Sequence, residues 1–446
     1  TTTEPQKMIA FDYRSTSTGT FNILIRDIDL DYGTYNIKMA NFYGGRYASK
    51  SLKVRDPDDS YVPPVNPTPA PSPVPSPTPK IETNDKGESI IIAAPEFNSG
   101  TGEQKSAINK EAYNEAVQSA KENDEGIKSI VLQVPENKDA KAYKQELPSS
   151  ALTAEKSKEQ IRIETGLGSI TAPSNMLHNI TDLDKEESIA LVIGKADTSE
   201  LNEDIRELIG EKPIVKLNLQ IGGKTASWNN PDAPVTVSIP YTTTAEELEN
   251  PEHIVVWYID GEGNVISIPN GSYNPQTGTV VFKTTHFSLF TVAYVKKTYN
   301  DIAKSYAKKQ IEVLASKGFY SWLEGDSFNP ARDITRAEFI YLMMTALNIN
   351  TSFKENFNDV KPEDYYYQAI GAAKKLGITV GVGNNNFGVN QSITRQDMST
   401  ILFNALKVKN SDYAEGSQEA LEIFKDKDKI TSYAKKGLAA LVRDGI

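Results

Sequence analysis

The chain has 446 residues, of which 38% are hydrophobic and 24% charged, with a net charge of −11 and no cysteine. That length exceeds one hydrophobic core and points to about two to four domains. The acidity, without a dense Lys/Arg cluster, argues against a nucleic-acid partner. The missing thiols exclude disulfides, thiolate metal sites and cysteine nucleophiles, and no apolar run approaches the roughly 20 residues of a membrane span.

Residues 1–57 read as a β-sandwich-like fragment. Phe21, Ile23 and Ile25, then Tyr35, Ile37 and Met39, alternate with polar residues as strands do. Asp27, Asp29 and Asp31 invite a calcium reading. The sixth and twelfth positions of such a loop are Tyr32 and Lys38 rather than Gly and Glu, so a strand is expected and no metal. Residues 58–81 are a proline-rich linker, an extended spacer with Ser and Thr open to O-glycosylation.

Residues 82–297 read as a β-rich α+β domain. An apolar run covers 89–93, and Ala112, Ala116 and Ala120 stripe a helix expected over 107–123. Strands are expected at 130–134, 161–164, 189–193, 215–221, 235–239, 254–258 and 280–283, with turns at 260–264 and 274–278.

Residues 298–446 repeat themselves, as 298–353, 354–409 and 421–446. Each unit starts with an aromatic (Tyr299, Phe357, Phe424), then Asp two residues on, then a helix ending at Gly. The first two continue to DITRAEF and SITRQDM, with Thr335 and Thr394 59 residues apart. Thr335 and Glu338 have the spacing of a capping box, and Thr394 with Asp397 keeps the plan on a shorter acid. Arg336 and Arg395 then fall in the first helical turn, where a cation opposes the helix dipole. Two readings follow. A guanidinium beside free helix N–H groups makes an anion site; alternatively, the arginine pairs with a nearby Asp or lies on the surface.

These units resemble S-layer homology repeats. The resemblance implies a helical three-repeat module on a secreted surface protein of a Gram-positive cell wall. Its grooves would bind an acidic, pyruvylated secondary cell-wall polysaccharide non-covalently. By position it implies Arg336 and Arg395 as the anion holders. Tyr306, Tyr365 and Tyr433 stand in for the family's tryptophan, and Gly325, Asp326 and Ser327 form the loop before the helix. Repeat three stops short of its arginine segment, so the chain reads as a fragment with at least one incomplete groove. The fold class is thus multidomain: an N-terminal all-β unit, a central α+β domain and a C-terminal all-α repeat module. The expected partners are cell-wall polysaccharide and other surface proteins, with no membrane span, nucleic acid or cofactor.

No GxSxG, HExxH or P-loop pattern appears, and the only histidines are His178, His253 and His286. No enzyme is expected from these residues; the rival is an anchored piece of a larger extracellular glycoside hydrolase or scaffold. His286-Phe287-Ser288 resembles the cleavage site of self-cleaving ZU5- and GAIN-type domains. There the histidine would activate Ser288 against the preceding carbonyl. The alternative is an ordinary strand with His286 and Ser288 on one face.

Overall fold

The computed structural model describes residues 33–40, 47–54, 80–180, 188–201 and 203–446. The aspartates at 27, 29 and 31, the apolar positions at 21, 23 and 25, and the proline-rich linker apart from Lys80 and Ile81 lie outside them; Ile81 already belongs to a strand. The chain divides into two compact units, 1–78 and 79–446. In the first, Gly33–Ala40, the strand expected from Tyr35, Ile37 and Met39, pairs antiparallel with Tyr47–Val54.

The second unit begins with two sheets. One orders its strands Ser272–Asn274, Thr279–Thr284, Val235–Pro240, Gly168–Pro173, Glu159–Thr165, Lys128–Gln133, Ser89–Ile92 and Ile81–Thr83. The other runs Val265–Ile268, Ile254–Ile259, Leu289–Tyr294, Ile214–Ile221, Ser188–Lys195, Ala142–Pro148, Glu103–Ala107 and Glu96–Asn98, with Lys224–Ala226 beside Ile214–Ile221. Every run expected as a strand between 130 and 283 is one. Side chains of both sheets (Ile130, Ile161 and Val237 from one, Leu191, Leu217 and Val256 from the other) share one apolar core. Each such side chain contributes roughly 1.5–3 kcal/mol on burial.

Helix α1 (Lys110–Ser119) is shorter than the 107–123 expected from its alanine stripe. Ala107 ends a strand instead, the Asn109 side chain accepts the Ala112 N–H as an N-cap, and Ala120 turns extended. Ala112 and Ala116 are buried, and α1 lies against Lys128–Gln133. That strand is a continuous apolar run because it is covered on both faces. Two short helices follow, α2 (Glu203–Ile209) and α3 (Ala245–Glu249).

The rest is helical: α4 (Lys308–Ser316), α5 (Arg336–Ala346), α6 (Tyr367–Lys375), α7 (Arg395–Lys409) and α8 (Ser432–Arg443). Repeat one supplies α4 and α5, repeat two α6 and α7, repeat three α8. The helices α4, α6 and α8 each run out at a left-handed glycine, Gly318, Gly377 and Gly445, a conformation that costs residues with a Cβ about 1–2 kcal/mol. The β-rich and helical regions touch through polar contacts. Asp232 accepts from the hydroxyls of Thr351 (2.6 Å) and Ser352 (3.0 Å), Lys309 pairs with Glu252 at 2.6 Å, and Asn270 donates to Asn348 at 3.2 Å. Among the described residues no helix is long and apolar enough to cross a membrane.

Candidate functional site: a groove shared by three repeats

In repeats one and two the opening aspartate clamps a loop. In repeat one the Asp301 carboxylate accepts the N–H groups of Phe328 (2.9 Å) and Asn329 (2.7 Å). In repeat two Asp359 accepts those of Phe387 (2.7 Å) and Gly388 (2.8 Å). These backbone donors hold the Asp301 carboxyl below its usual range. Partial burial pushes Asp359 the other way, but its donors together outweigh it and hold it low as well.

The capping box of repeat one forms: Thr335 Oγ1 accepts the Glu338 N–H at 3.2 Å, and Glu338 Oε2 accepts the Thr335 N–H at 2.8 Å. Arg332 grips the same carboxylate with two bonds, of 2.7 and 3.0 Å. Repeat two has half of the box. Thr394 Oγ1 accepts the Asp397 N–H, while the shorter Asp397 takes the Thr394 hydroxyl proton instead of the backbone N–H.

The helix N-terminus of α5, one half of the expected anion site, is not free. Its Arg336 N–H donates to the Gln391 carbonyl (2.9 Å) and its Ala337 N–H to the Val389 carbonyl (3.3 Å). Both acceptors belong to the loop of repeat two, so the orphan donors of the helix are already satisfied. The guanidinium is what remains. Arg336 is 7% exposed. Its Nε donates to the Phe387 carbonyl at 3.0 Å, its plane lies 5.0 Å from the Phe387 ring centre, and Nη1 stands 3.6 Å from Asp397 Oδ2. The guanidinium is thus loosely paired with Asp397 and faces a groove.

That groove has a volume of about 360 Å³. Arg336 of repeat one, residues 377–382 with Asp397, Thr400 and Asn404 of repeat two, and Tyr433 of repeat three line it. Tyr433 is half exposed and donates its hydroxyl to Asp397 Oδ1 at 2.6 Å; burial, and then that carboxylate, push its phenol up. A cation, a carboxylate, an exposed ring, a hydroxyl and an amide thus share one cleft. The ring offers an apolar face and the polar groups fix orientation.

The other expected residues lie elsewhere. Arg395 is exposed, without a side-chain partner among the described residues. Tyr306 is fully exposed. Tyr365 lies flat on Trp322, centroids 4.6 Å apart and planes 2° apart, with Tyr341 edge-on at 5.1 Å. Gly325, Asp326 and Ser327 are exposed and line no part of the Arg336 groove; the Asp326 carbonyl accepts the Asn300 N–H, which fastens this loop to the start of its own repeat. Thr400, Asn404 and residues 377–382 were not singled out from the sequence, because no spacing within one repeat reveals which neighbour's arginine they face. Asp397 stood out only as a cap.

Ser288 donates its hydroxyl to the Ile259 carbonyl at 2.7 Å. The His286 ring packs on Tyr258 and Phe290, and Phe287 on Trp228. No hydrogen bond joins His286 to Ser288 among the described residues, and neither a cis peptide bond nor a positive φ falls at 286–288. Burial holds the His286 imidazole below its usual range.

The S-layer homology domain model matches residues 298–340 and 356–399, the first two repeats. The chain is 34% identical over 215 residues to an amylopullulanase of Thermoanaerobacterium thermosulfurigenes, covering 48% of this chain and 11% of that protein. It is 38% identical over 150 residues to the exoglucanase XynX of Acetivibrio thermocellus, 33% of this chain and 14% of the relative. With the surface-layer 125 kDa protein of Lysinibacillus sphaericus it shares 32% over 149 residues, 33% of this chain and 12% of the relative. The chain thus matches only about a tenth to a seventh of the length of these relatives. It is an S-layer-homology-domain-containing protein of the cell surface, secreted and anchored at the cell wall.

Proposed function

We propose that residues 298–446 hold the chain non-covalently to an acidic, pyruvylated secondary cell-wall polysaccharide, whose carboxylate takes the guanidinium of Arg336 while a sugar ring rests on Tyr433. The observation that carries this is a buried arginine, pinned at Nε and by its ring contact, at the wall of an open groove. A pre-positioned guanidinium binds an anion without first being ordered. Arg395 is the second candidate cation, with Tyr306 and Tyr365 as further ring positions and 325–327 as an accessory loop. In this reading 1–57 is a β unit, 58–81 a spacer, 82–297 a stalk and 298–446 the anchor, divided into repeats 298–353, 354–409 and 421–446. The chain itself performs no reaction. Co-sedimentation with cell-wall sacculi tests the proposal. Binding should vanish when the secondary polysaccharide is chemically removed and weaken by well over tenfold when Arg336 is replaced by Ala; binding indifferent to both would refute it.

A second reading fits about as well: the same anchor serving as part of a larger extracellular glycoside hydrolase. The names of three relatives favour it, an amylopullulanase, an exoglucanase and an endo-1,4-beta-xylanase, each matched over 14% of its length or less. Peptide mapping of the protein stripped from intact walls separates the two, because a hydrolase domain would come off in the same polypeptide.

A further inference from the structure

We infer that Asp359 is a positioning residue for the wall-binding groove, acting on Arg336 through the loop 387–391; the inference rests on the groove reading above. Its carboxylate holds three successive N–H groups, of Phe387 (2.7 Å), Gly388 (2.8 Å) and Val389 (3.4 Å). The same short loop turns its carbonyls toward repeat one. Phe387 O takes Arg336 Nε, Val389 O takes the Ala337 N–H, and Gln391 O takes the Arg336 N–H. The Phe387 ring, fully buried, supports the guanidinium face. One loop therefore fixes both ends of the arginine, its backbone and its charged head, and Asp359 fixes the loop. Repeat one contains the matching control. Asp301 clamps Phe328 and Asn329 in the same way. Yet among the described residues no arginine donates to the Phe328 carbonyl, and that loop lines no part of the groove.

Asp359→Asn tests this, since the amide turns a donor toward backbone donors and shifts the loop. Full-length Asp359→Asn, Asp301→Asn, Arg336→Ala and the double variant Asp359→Asn/Arg336→Ala would be titrated against sacculi, with melting temperatures alongside. Asp359→Asn should weaken binding about tenfold, a coupling of the size seen within one hydrogen-bond network, and Asp301→Asn less than about twofold. On the Arg336→Ala background Asp359→Asn should add nothing, whereas a merely structural role would still subtract its own effect. If Asp359→Asn fails to fold, Phe387→Leu removes the ring and keeps the carbonyl; it should weaken binding several-fold, and parental binding there overturns the relay. Equal losses for the two Asp variants, or a full extra loss on the Arg336→Ala background, overturn it as well. Should Arg336→Ala bind like the parent, the groove reading falls and the relay with it. Should Arg336→Ala fail while Asp359→Asn binds normally, only the relay falls.

Discussion

Repeats one and two use the same opening aspartate, the same left-handed glycine after their first helix and the same threonine cap, yet their arginines end in opposite surroundings. Arg336 is buried because the loop of repeat two wraps over it; Arg395, in the same motif, is exposed. The aromatic position diverges as well. Tyr365 is locked against Trp322, while Tyr433 stands half free with its hydroxyl on Asp397. The motif sets where a side chain leaves its helix, and the neighbouring repeat decides whether it becomes part of a site. The groove is accordingly a joint product: an arginine from the first repeat, a wall from the second and a ring from the third.

The largest expected effect separates the two arginines. Arg336→Ala removes a hydrogen-bonded, mostly buried charge, a class of change that costs about 2–5 kcal/mol of binding. Arg395→Ala, with an exposed and unpartnered side chain, should cost less than about 1 kcal/mol. Sacculus-binding isotherms of the two variants measure this directly, and equal losses would erase the distinction between the repeats. Next comes Trp322, which fills the side of Tyr365 that has no counterpart at Tyr433. Trp322→Ala should lower unfolding free energy by about 3 kcal/mol, the low end for aromatic truncations because Trp322 is only partly buried, and leave wall binding near the parental value. Denaturant melts paired with co-sedimentation read both numbers. A loss of binding as large as the loss of stability would place the Trp322–Tyr365 stack within the site.

Acid should act on the clamps that the two repeats share. Asp301 and Asp359 both have folded-state carboxyls held below the ordinary aspartate range. Their contribution is therefore complete above the unfolded value, near 3.8, and is lost as pH falls through the lower folded values. Melting temperatures should hold from neutrality to about pH 5 and drop steeply below about pH 4. The Asp301→Asn/Asp359→Asn variant should start lower and show a shallower acid slope. An unchanged slope would mean that other carboxylates govern acid unfolding.

Much of this arrangement was legible in the sequence, and the remainder was hidden for identifiable reasons. Alternation located the strands because one face of each meets the core. Recurrence located the helices, and the capping spacing located the starts of α5 and α7. Local chemistry gave the box at Thr335; at Thr394, where the same plan was expected on a shorter acid, only half of it forms, since Asp397 does not return to the backbone. The alanine stripe overextended α1, because Asn109 captures the helix start and Ala120 is buried beyond its end. The free N-terminus expected at α5 failed for a different reason. Its acceptors, Val389 and Gln391, sit more than 50 residues away in sequence, and a backbone carbonyl carries no side-chain signature. The company of Arg336 was hidden likewise. Phe387, Asp397 and Tyr433 each stand in a recognisable motif, but which repeats meet is a property of the packed module.

The caps offer the smallest and most local test of the comparison. Thr335 is half-buried and reciprocated by Glu338, whose carboxylate is in turn gripped by Arg332; Thr394 is exposed and unreciprocated by backbone. Burial raises the Glu338 carboxyl, yet Arg332 and the Thr335 N–H together prevail and hold it low. Thr335→Ala should therefore cost about 1–2 kcal/mol and Thr394→Ala about 0.5–1 kcal/mol, the two ends of the range for lost N-caps. Chemical denaturation of the single variants resolves the difference, and Arg332→Ala should bring the Thr335 cost down toward that of Thr394. If the order reverses, the α7 cap is supported through Asp397 and Tyr433 rather than through its own backbone. In that case the groove wall and the helix start would be one network, and ligand binding at Arg336 should stabilise α7 against hydrogen exchange more than it stabilises α5.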